Sequence, residues 1–421
     1  MTRRKKHTTD DGGALRVGVL TSGLAITGGL ERCVLEDTRE LVAAGHVVEV
    51  WHRNAHAPRA EEGPTPFHEL GVRLVDAPDM RFGLRSALLD TVRFVRLGLR
   101  LRRSHLDVLW LNRPEYLPFG RVASLVSGVP LAVHLHHAPN YRRIRPVAGG
   151  RTRFLAVSHA MAAAWAAAGA PTDSITIVPN GVDTDAFPAA TPDSVRRARR
   201  TLGIEEGTPT VLYYGRFTEA KGVLALLRAW HLVLASAEAR AAAVAAVTQA
   251  HETVPRTTDH TARETSVPVS RKPLLVLAGA LYPAEADVVE AAIAALPAGS
   301  VLVLPERDDV VPLLHAADLV VAPSIEPEGF GRVVVEAMSA GRPVLAAASG
   351  GTGEILSDEW ARFTVDPTDT RALARKLVDL LDEAVLDPSL GEQARDWVET
   401  RYGRAPHVDA LLGALSASAR R

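Results

Sequence analysis

The sequence predicts an α/β protein with two doubly wound parallel sheets in tandem. Short apolar runs alternate with helical patterns from residue 15 onward, and a second alternating series begins near residue 210. Between them, Asn180 and Gly181 form a typical turn pair, followed by polar, proline-containing sequence. With 421 residues, the chain is long enough for two domains. We therefore predict two Rossmann-like domains facing across a cleft, since ligands of open α/β sheets bind at the carboxyl ends of the strands.

The first series predicts a helix and six strands. Apolar residues recur at helical spacing from Leu30 to Val42, between the first two strands. The strands are predicted at residues 15–20, 47–51, 106–111, 130–135, 154–157 and 175–178.

The second series predicts six more strands, and Asp369 is predicted to cap a helix that runs to about residue 384. Residues 238–272 pass from alanine-rich to polar sequence without apolar periodicity, which predicts a surface insertion, disordered from about residue 251. The strands are predicted at residues 210–214, 274–277, 301–304, 319–321, 344–346 and 363–365. The predicted divisions of the chain are a disordered tail at 1–13, domains at 14–184 and 185–400, and a terminal segment at 401–421.

Composition excludes several classes of protein. The content is 47% hydrophobic and 23% charged, as in globular proteins, and the net charge of −1 argues against a nucleic-acid binder. Cys33 is the only cysteine, so no intramolecular disulfide can form and a reducing compartment is favoured. The basic N-terminus lacks the apolar region of a signal peptide, and no apolar stretch is long enough to span a bilayer. We expect a cytoplasmic protein.

The most informative segment is residues 324–344. Glu328 and Glu336 flank a Gly329-Phe330-Gly331 turn, and an apolar run of helical character follows. Helix-terminal amides suit a phosphate and carboxylates suit hydroxyls, so the combination indicates a nucleotide-sugar site. The alternative is an ordinary strand–turn–helix corner with Glu336 as a first-turn acid.

A second segment supplies cations. Gly215 and Arg216 follow the first strand of the second series, and Lys221 lies on the same turn. Two cations at the carboxyl end of a strand can neutralise a diphosphate. The alternative is a pair of solvated surface cations.

Two features of the first half face the same predicted cleft. Gly28 and Gly29 open the first helix, where a phosphate or sugar could approach free amides, or where they form only a tight turn. His134, His136 and His137 end a strand, but alternation turns His137 away from the other two, so we predict no metal site. A strand-end histidine could instead form a hydrogen bond to a substrate. The alternative is a loop histidine that forms a hydrogen bond to a backbone group.

Residues 81–103 carry seven arginines and one acid, Asp90, among apolar residues. A basic amphipathic helix of this kind can lie on an anionic membrane, which would place the protein peripherally at the inner face of the membrane. The alternative is a surface helix whose arginine stems cover apolar side chains.

Five elements occur in a fixed order: Gly-Gly-x-Glu, a strand-end His, Asn-Gly-Val-Asp, Gly-Arg-Phe-x-x-x-Lys-Gly, and Glu-Gly-Phe-Gly-x-x-x-x-Glu-Ala. Together they resemble the retaining nucleotide-sugar glycosyltransferases of family 4, which have the GT-B fold. The resemblance runs from about residue 16 to about residue 415. It implies an acceptor domain at 14–184, a donor domain at 185–400 and a last helix that packs back on the N-terminal domain.

The resemblance implies a role for each matched donor-side residue. Glu328 corresponds to the carboxylate that contacts the donor sugar, and Phe330 and Gly331 to the turn whose amides approach it. Glu336 resembles the residue that holds the ribose hydroxyls. The resemblance assigns donor binding to Gly28, Gly29, Gly215, Arg216, Lys221, Glu328, Gly329, Phe330, Gly331 and Glu336.

The implied reaction moves a sugar from a UDP- or GDP-sugar to a hydroxyl of a glycolipid, cell-surface glycan or natural product, with retention and without a metal or other cofactor. The catalytic set implied is His136, Glu328, Arg216 and Lys221. His137 stands where an aspartate is common, so acceptor contacts are expected to differ. The alternatives are another two-domain α/β enzyme, such as a nucleotide-sugar epimerase, and an inactive nucleotide-sugar-binding protein.

Overall fold

The computed structural model describes residues 13–21, 23–24, 29–53, 64–139, 144, 148–252 and 272–420. The chain divides into two compact units, one of Met1–Gly181 with Ala405–Arg421 and the other of Val182–Arg404. These divisions lie a few residues from the predicted boundaries at 184 and 400.

The first unit is built on a seven-stranded parallel sheet in the order β3-β2-β1-β4-β5-β6-β7. The order reverses between β1 and β4, which makes the sheet doubly wound. Its strands are β1 (Arg16–Thr21), β2 (Val47–His52), β3 (Arg73–Asp76), β4 (Val108–Leu111), β5 (Leu131–Leu135), β6 (Thr152–Ala156) and β7 (Ile175–Ile177). Its helices are α1 (Gly29–Ala43), α2 (Pro64–Glu69), α3 (Ala87–Leu101), α4 (Leu117–Ser127) and α5 (His159–Ala167).

The second unit is built on a six-stranded parallel sheet in the order β10-β9-β8-β11-β12-β13, which reverses between β8 and β11. Its strands are β8 (Thr210–Tyr214), β9 (Leu274–Ala278), β10 (Val301–Leu304), β11 (Leu319–Ala322), β12 (Val344–Ala347) and β13 (Thr364–Val365). Its helices are α6 (Pro192–Leu202), α7 (Val223–Glu252), α8 (Ala286–Ala294), α9 (Val311–Ala316), α10 (Arg332–Ser339), α11 (Gly350–Ile355), α12 (Thr370–Leu386) and α13 (Ser389–Tyr402). Both sheets are parallel with helical crossovers, which confirms the predicted fold class.

The strands read as continuous apolar runs because both faces of each sheet are covered. All four residues of β4 are buried, and Val17 and Val19 of β1 are fully inaccessible. A last helix, α14 (Arg404–Ala419), adds Leu411 and Leu415 to the same core. Burial of such side chains contributes roughly 1.5–3 kcal/mol each.

The twelve predicted strands are all present, displaced by two residues or fewer at their ends. Asp369 caps α12 as predicted, its carboxylate accepting from the Ala372 amide at 2.9 Å. Strand β3 was missed because it is short and only Val75 is buried, so it lacks the apolar run of a central strand. Of the predicted insertion, α7 extends through Glu252, and residues 253–271 lie outside the described residues, as does the tail up to residue 12.

Candidate functional site

The reversal between β8 and β11 brings two loops of the second unit side by side. Open α/β sheets bind ligands at such a reversal, beyond the carboxyl ends of the strands. The loop after β8 carries Arg216 and Lys221, and the loop after β11 carries Ser324 and Glu328. The two predicted segments therefore meet at one place, although they are far apart in sequence.

Gly222 explains how closely the two loops approach. Its φ of +75° lies in the left-handed region, and a Cβ at this position would collide with the carbonyl oxygen of Pro323. Two hydrogen bonds also join the loops. The amides of Ile325 and Glu326 donate to the Ala220 carbonyl at 2.9 and 3.1 Å. The backbone itself thus fixes the cationic turn against the acidic loop.

Lys221 and Glu328 form an ion pair across these loops. The Lys221 Nζ lies 2.5 Å from Glu328 Oε1, and the Ser324 hydroxyl donates to the same oxygen at 2.7 Å. The side chains are 29% and 24% exposed, so the pair is accessible to a ligand at the edge of the sheet. A lysine ammonium has three donors and a carboxylate about four acceptor positions, so both groups keep capacity for further bonds.

Arg216 follows β8 by two residues, on the loop that also carries Lys221. It is exposed and makes no ion pair with the residues that the structure describes. Its carbonyl oxygen accepts from the Tyr213 hydroxyl at 2.6 Å, which holds the backbone of the turn. The arrangement presents a guanidinium that can bind an anion in bidentate geometry.

Glu336 is held more tightly than Glu328. It is only 9% exposed, and Arg332 Nε donates to its Oε1 and the Tyr214 hydroxyl to its Oε2, both at 3.0 Å. Burial and the neighbouring carboxylate raise the pKa of Tyr214 well above its ordinary value, so its hydroxyl keeps its proton and remains a donor. Glu336 lies in the second turn of α10, so it is not the ordinary first-turn acid of the alternative interpretation.

The turn between the two glutamates has a defined backbone. Gly331 caps α10 with φ +111° and a Cβ there would meet Thr352 Cγ2 at 2.7 Å. Phe330 is buried, with its ring 5.6 Å from that of Tyr402. Helix α10 begins directly after this turn, and its Val334 amide donates to the Gly331 carbonyl at 3.0 Å.

A second loop closes on the same turn. Gly350 pairs with Glu328 in an isolated parallel bridge, and the Gly351 amide donates to the Glu328 carbonyl at 2.8 Å. A Cβ at Gly351 would lie 2.5 Å from the backbone of Phe330, which leaves room only for glycine. The main chain of Glu328 is therefore fixed independently of its carboxylate.

In the first unit, the other predicted residues follow β1 and β5, the two strands that flank β4. Helix α1 begins at Gly29 as predicted, while Gly28 lies outside the described residues. His136 directly follows β5, and its ring lies 4.1 Å from that of His134. His134 is fully buried and burial lowers its pKa well below the ordinary value, so it is neutral.

His137 differs from its neighbours. Its Nδ1 lies 2.9 Å from the Ala138 carbonyl oxygen and its Nε2 lies 3.1 Å from Glu115 Oε2. Both partners are acceptors, which favours the protonated ring, in which both nitrogens donate. The bond to Glu115 accordingly raises the pKa of His137. The structure therefore places His137 apart from the His134–His136 pair, as strand alternation predicts.

One buried pair of the first unit was not predicted. His407 of α14 donates from Nε2 to Asp37 Oδ1 at 2.7 Å and from Nδ1 to the Pro179 carbonyl at 2.6 Å. The partners are 370 residues apart, so no motif or spacing reveals the contact. The pair joins α14 to α1, and His407 also packs on Gly181.

Among the described residues, no group of three histidine, cysteine, aspartate or glutamate side chains is placed to hold a metal ion. Cys33 is buried within α1, as expected for a packed residue. No helix in the described part of the chain is both long and apolar enough to cross a bilayer.

Two family models match the chain. Residues 27–186 match the model described as Glycosyltransferase Family 4, and residues 194–397 match the model described as Glycosyl transferases group 1. The chain belongs to the GT-B glycosyltransferases of the family 4 type. The predicted family is thereby confirmed, and the family models favour neither an epimerase nor an inactive binding protein.

Named relatives agree with this family. The chain is 27% identical to a D-inositol 3-phosphate glycosyltransferase of Xylanimonas cellulosilytica, with 95% of this chain and 94% of that relative covered. It is 32% identical to the protein of the same name from Salinispora arenicola over 52% of this chain and 45% of the relative. In this and two further matches the chain spans about half the length of the curated relatives.

Solved structures share the fold. The Anabaena protein HepE, in complex with UDP and glucose, superposes with a TM-score of 0.70 at 20% identity and covers 96% of this chain and 100% of that one. WaaG, a glycosyltransferase involved in lipopolysaccharide biosynthesis, superposes with a TM-score of 0.62 at 19% identity over 94% of this chain and 99% of its own. These likenesses confirm the GT-B fold.

Proposed function

We propose that this glycosyltransferase binds a nucleotide-diphosphate sugar in its second unit and transfers the sugar to an acceptor hydroxyl with retention of configuration. The observation that carries the proposal is the meeting of the Arg216–Lys221 turn with the segment 324–336 at the sheet reversal. The solved structures of HepE with UDP and UDP-glucose support the choice of donor class.

The geometry supports a separate role for each glutamate. Glu328 is partly exposed and shares its Oε1 with Lys221 and Ser324, so its remaining acceptor positions can take the hydroxyls of the donor sugar. Glu336 is buried and clamped, which suits a fixed carboxylate that accepts from the ribose hydroxyls. The turn at Gly329, Phe330 and Gly331 lies between them, where helix amides can approach the diphosphate.

Charge on the leaving diphosphate is balanced by the protein. In the reaction the acceptor oxygen bonds to the anomeric carbon on the face from which the diphosphate departs, and the hydroxyl proton passes to the departing phosphate oxygen. Arg216, Lys221 and the amides of α10 stabilise the negative charge that develops there. This set supplies positive charge without a metal ion, so we propose a metal-independent reaction.

In the first unit, the family resemblance assigns donor binding to Gly28 and Gly29 and catalysis to His136, and we propose these roles from the matched motifs. The neutral, buried His134 supports one face of the His136 ring at 4.1 Å, which fixes the orientation of that ring. The acceptor hydroxyl could belong to a lipid-linked or a soluble molecule.

A thermal-shift screen of UDP-, GDP- and ADP-sugars tests the donor. A ligand that binds only the folded state at 100 times its Kd stabilises it by about 2.7 kcal/mol, which is a readily measured rise in Tm. We expect one nucleotide-sugar to raise Tm strongly. The corresponding nucleoside diphosphate, which lacks the sugar, should be nearly as effective. No response to any nucleotide-sugar would contradict the proposal.

Turnover and stereochemistry are tested on the same donor. Proton NMR at early times should show the transferred or hydrolysed sugar in the anomeric configuration of the donor, with and without EDTA. Inversion would contradict the retaining mechanism, and loss of turnover with EDTA would contradict metal independence. Binding without transfer or hydrolysis would favour the inactive binding protein.

A further inference from the structure

Helix α3 of the first unit is apolar on two opposite faces. Phe94, Leu97 and Leu101 are buried against the rest of the unit. On the opposite side, Leu88 is 79% exposed and Leu89 is 69% exposed. A surface helix normally carries polar residues on its outer side, so the exposed apolar face of α3 indicates an interaction surface.

The outward face of α3 consists of Leu88, Leu89, Val92, Arg96 and Leu99. These positions recur at helical spacing, and all five are exposed. They form one continuous stripe along a helix that is about 22 Å long. The stripe runs along one side of the helix, which suits a flat partner.

Every exposed charge along this segment is positive. Arg85 lies in the turn just before the helix and Arg103 just after it, and both are exposed like Arg96. The one carboxylate of residues 81–103, Asp90, is 1% exposed. It accepts from the Gly83 amide and the Ser86 hydroxyl and pairs with Arg93.

Burying Asp90 has an electrostatic consequence. Its carboxylate accepts from groups just before the helix and pairs with Arg93, so its negative charge does not offset the positive charge of the exposed arginines. The outward face is therefore apolar except at Arg96, and Arg85 and Arg103 add positive charge beyond its two ends. A negatively charged, flat surface with an apolar interior complements both properties.

We propose that the outward face of α3 docks the protein on an anionic lipid bilayer. Leu88 and Leu89 enter the boundary between headgroups and acyl chains, while Arg85, Arg96 and Arg103 bind lipid phosphates. This docking extends the proposed function, since it brings the enzyme to a surface that holds lipid-linked hydroxyls. It does not depend on that function, because lipid binding is measured without donor or turnover.

Flotation with vesicles tests the surface. Wild-type protein should float with vesicles that contain phosphatidylglycerol and stay behind with pure phosphatidylcholine. The L88Q/L89Q variant should lose about tenfold or more in partition coefficient, because each apolar side chain contributes to insertion. R96Q/R103Q should lose about tenfold at low salt and little at high salt, where exposed charges are screened.

Matched controls lie in the second unit. Leu386 of α12 is 57% exposed, so L386Q removes an exposed leucine elsewhere, and R371Q removes an exposed arginine from the same helix. Both should float like the wild type. The substituted positions are exposed, so all variants should melt within a degree or two of the wild type by circular dichroism.

The outcomes separate the candidate partners. Flotation that survives L88Q/L89Q, or that is equal on neutral vesicles, overturns the proposal. Failure of the wild type to bind either vesicle overturns it too. A concentration-dependent dimer in sedimentation velocity that L88Q/L89Q converts to monomer, without flotation, would assign the face to a second copy of the chain. These results are independent of whether a nucleotide-sugar binds.

Discussion

At the sheet reversal of the second unit, charged side chains from different elements hold one another, whereas at the end of β5 in the first unit the histidines pack ring against ring. Lys221 and Ser324 both bind Glu328, and Tyr214 and Arg332 both bind Glu336. His136 instead rests on the neutral ring of His134.

The difference teaches how each site is prepared for a ligand. In the second unit the charged side chains hold one another in place, so little reorganisation is needed to bind a donor. In the first unit, His137 and His407, whose pKa values are raised, already have partners on both ring nitrogens. They serve structure there, and the charges that we propose to bind the donor lie in the second unit.

The largest expected effect is that of replacing His407, the buried histidine that pairs with Asp37 in the first unit. His407→Ala leaves the buried Asp37 carboxylate without its cation, which should lower the free energy of unfolding by about 3–5 kcal/mol. Asp37→Ala/His407→Ala should recover part of the loss, because no buried charge is left unpaired. Urea unfolding measures both. An unchanged midpoint for His407→Ala would show that the pair adds nothing.

The same pair gives a pH dependence. Burial alone would lower the pKa of His407, but Asp37 and the Pro179 carbonyl outweigh it, so the folded-state pKa is raised above 6.5. Its contribution is therefore fully present below the ordinary histidine pKa and is lost as the pH rises through the folded-state value. The stability difference between wild type and His407→Ala should shrink as the pH rises, and a difference that grows would contradict the assignment.

In the second unit, Lys221→Met should reduce turnover of the donor by about 10²–10³-fold, since it removes a cation that we propose to stabilise the leaving diphosphate. Lys221 is partly exposed, so the fold should persist with an unchanged circular dichroism spectrum. Arg216→Ala should have a similar effect. A folded Lys221→Met protein that turns over donor at the wild-type rate would remove Lys221 from the mechanism.

The backbone of the glutamate turn is tested by Gly331→Ala. An alanine there meets both the unfavourable φ of +111° and the Thr352 side chain, so we expect a loss of about 1–3 kcal/mol in unfolding free energy. Gly413→Ala is the matched control, because Gly413 lies in a helix with open space around it and should gain roughly 0.5–1 kcal/mol. Equal effects at the two glycines would show that the turn is not strained.

The smallest effect is expected for Tyr214→Phe. Losing one hydrogen bond to Glu336 should cost about 0.5–1.5 kcal/mol in stability and weaken donor binding by a similar amount. Tyr282→Phe, at an exposed tyrosine, should change neither. Thermal melting with and without donor separates the two contributions. A Tyr214→Phe protein that binds donor like the wild type would mean that donor binding does not need the Tyr214–Glu336 hydrogen bond.

The sequence alone located most of the fold. Apolar runs are dense in buried parallel strands, which is why strands such as β8 and β10 appear at the predicted residues. Strand β3 was missed since an edge strand buries little. The two segments at the sheet reversal were also predicted, because glycines, cations and acids are conspicuous at strand ends.

The partnerships inside the site could not be predicted. Lys221 and Glu328 are 107 residues apart and Tyr214 and Glu336 are 122 apart, so only the folded topology reveals that they meet. The contact of Asp37 with His407 has no local pattern at all. Spacing identifies residue types suited to a ligand, but their partners depend on which loops the sheet order brings together.

The central claim is that Glu336 holds the ribose of the donor while the rest of the segment holds the diphosphate and the sugar. Calorimetric titration of the preferred nucleoside diphosphate and of its 2′,3′-dideoxy analogue, into wild type and Glu336→Gln, tests it most directly. Wild type should bind the full nucleotide about ten- to a hundredfold more tightly than the analogue, as expected for hydrogen bonds to a charged group. Glu336→Gln should lose that preference while it still binds the analogue like the wild type. Equal losses for both ligands would contradict the assignment of the ribose to Glu336.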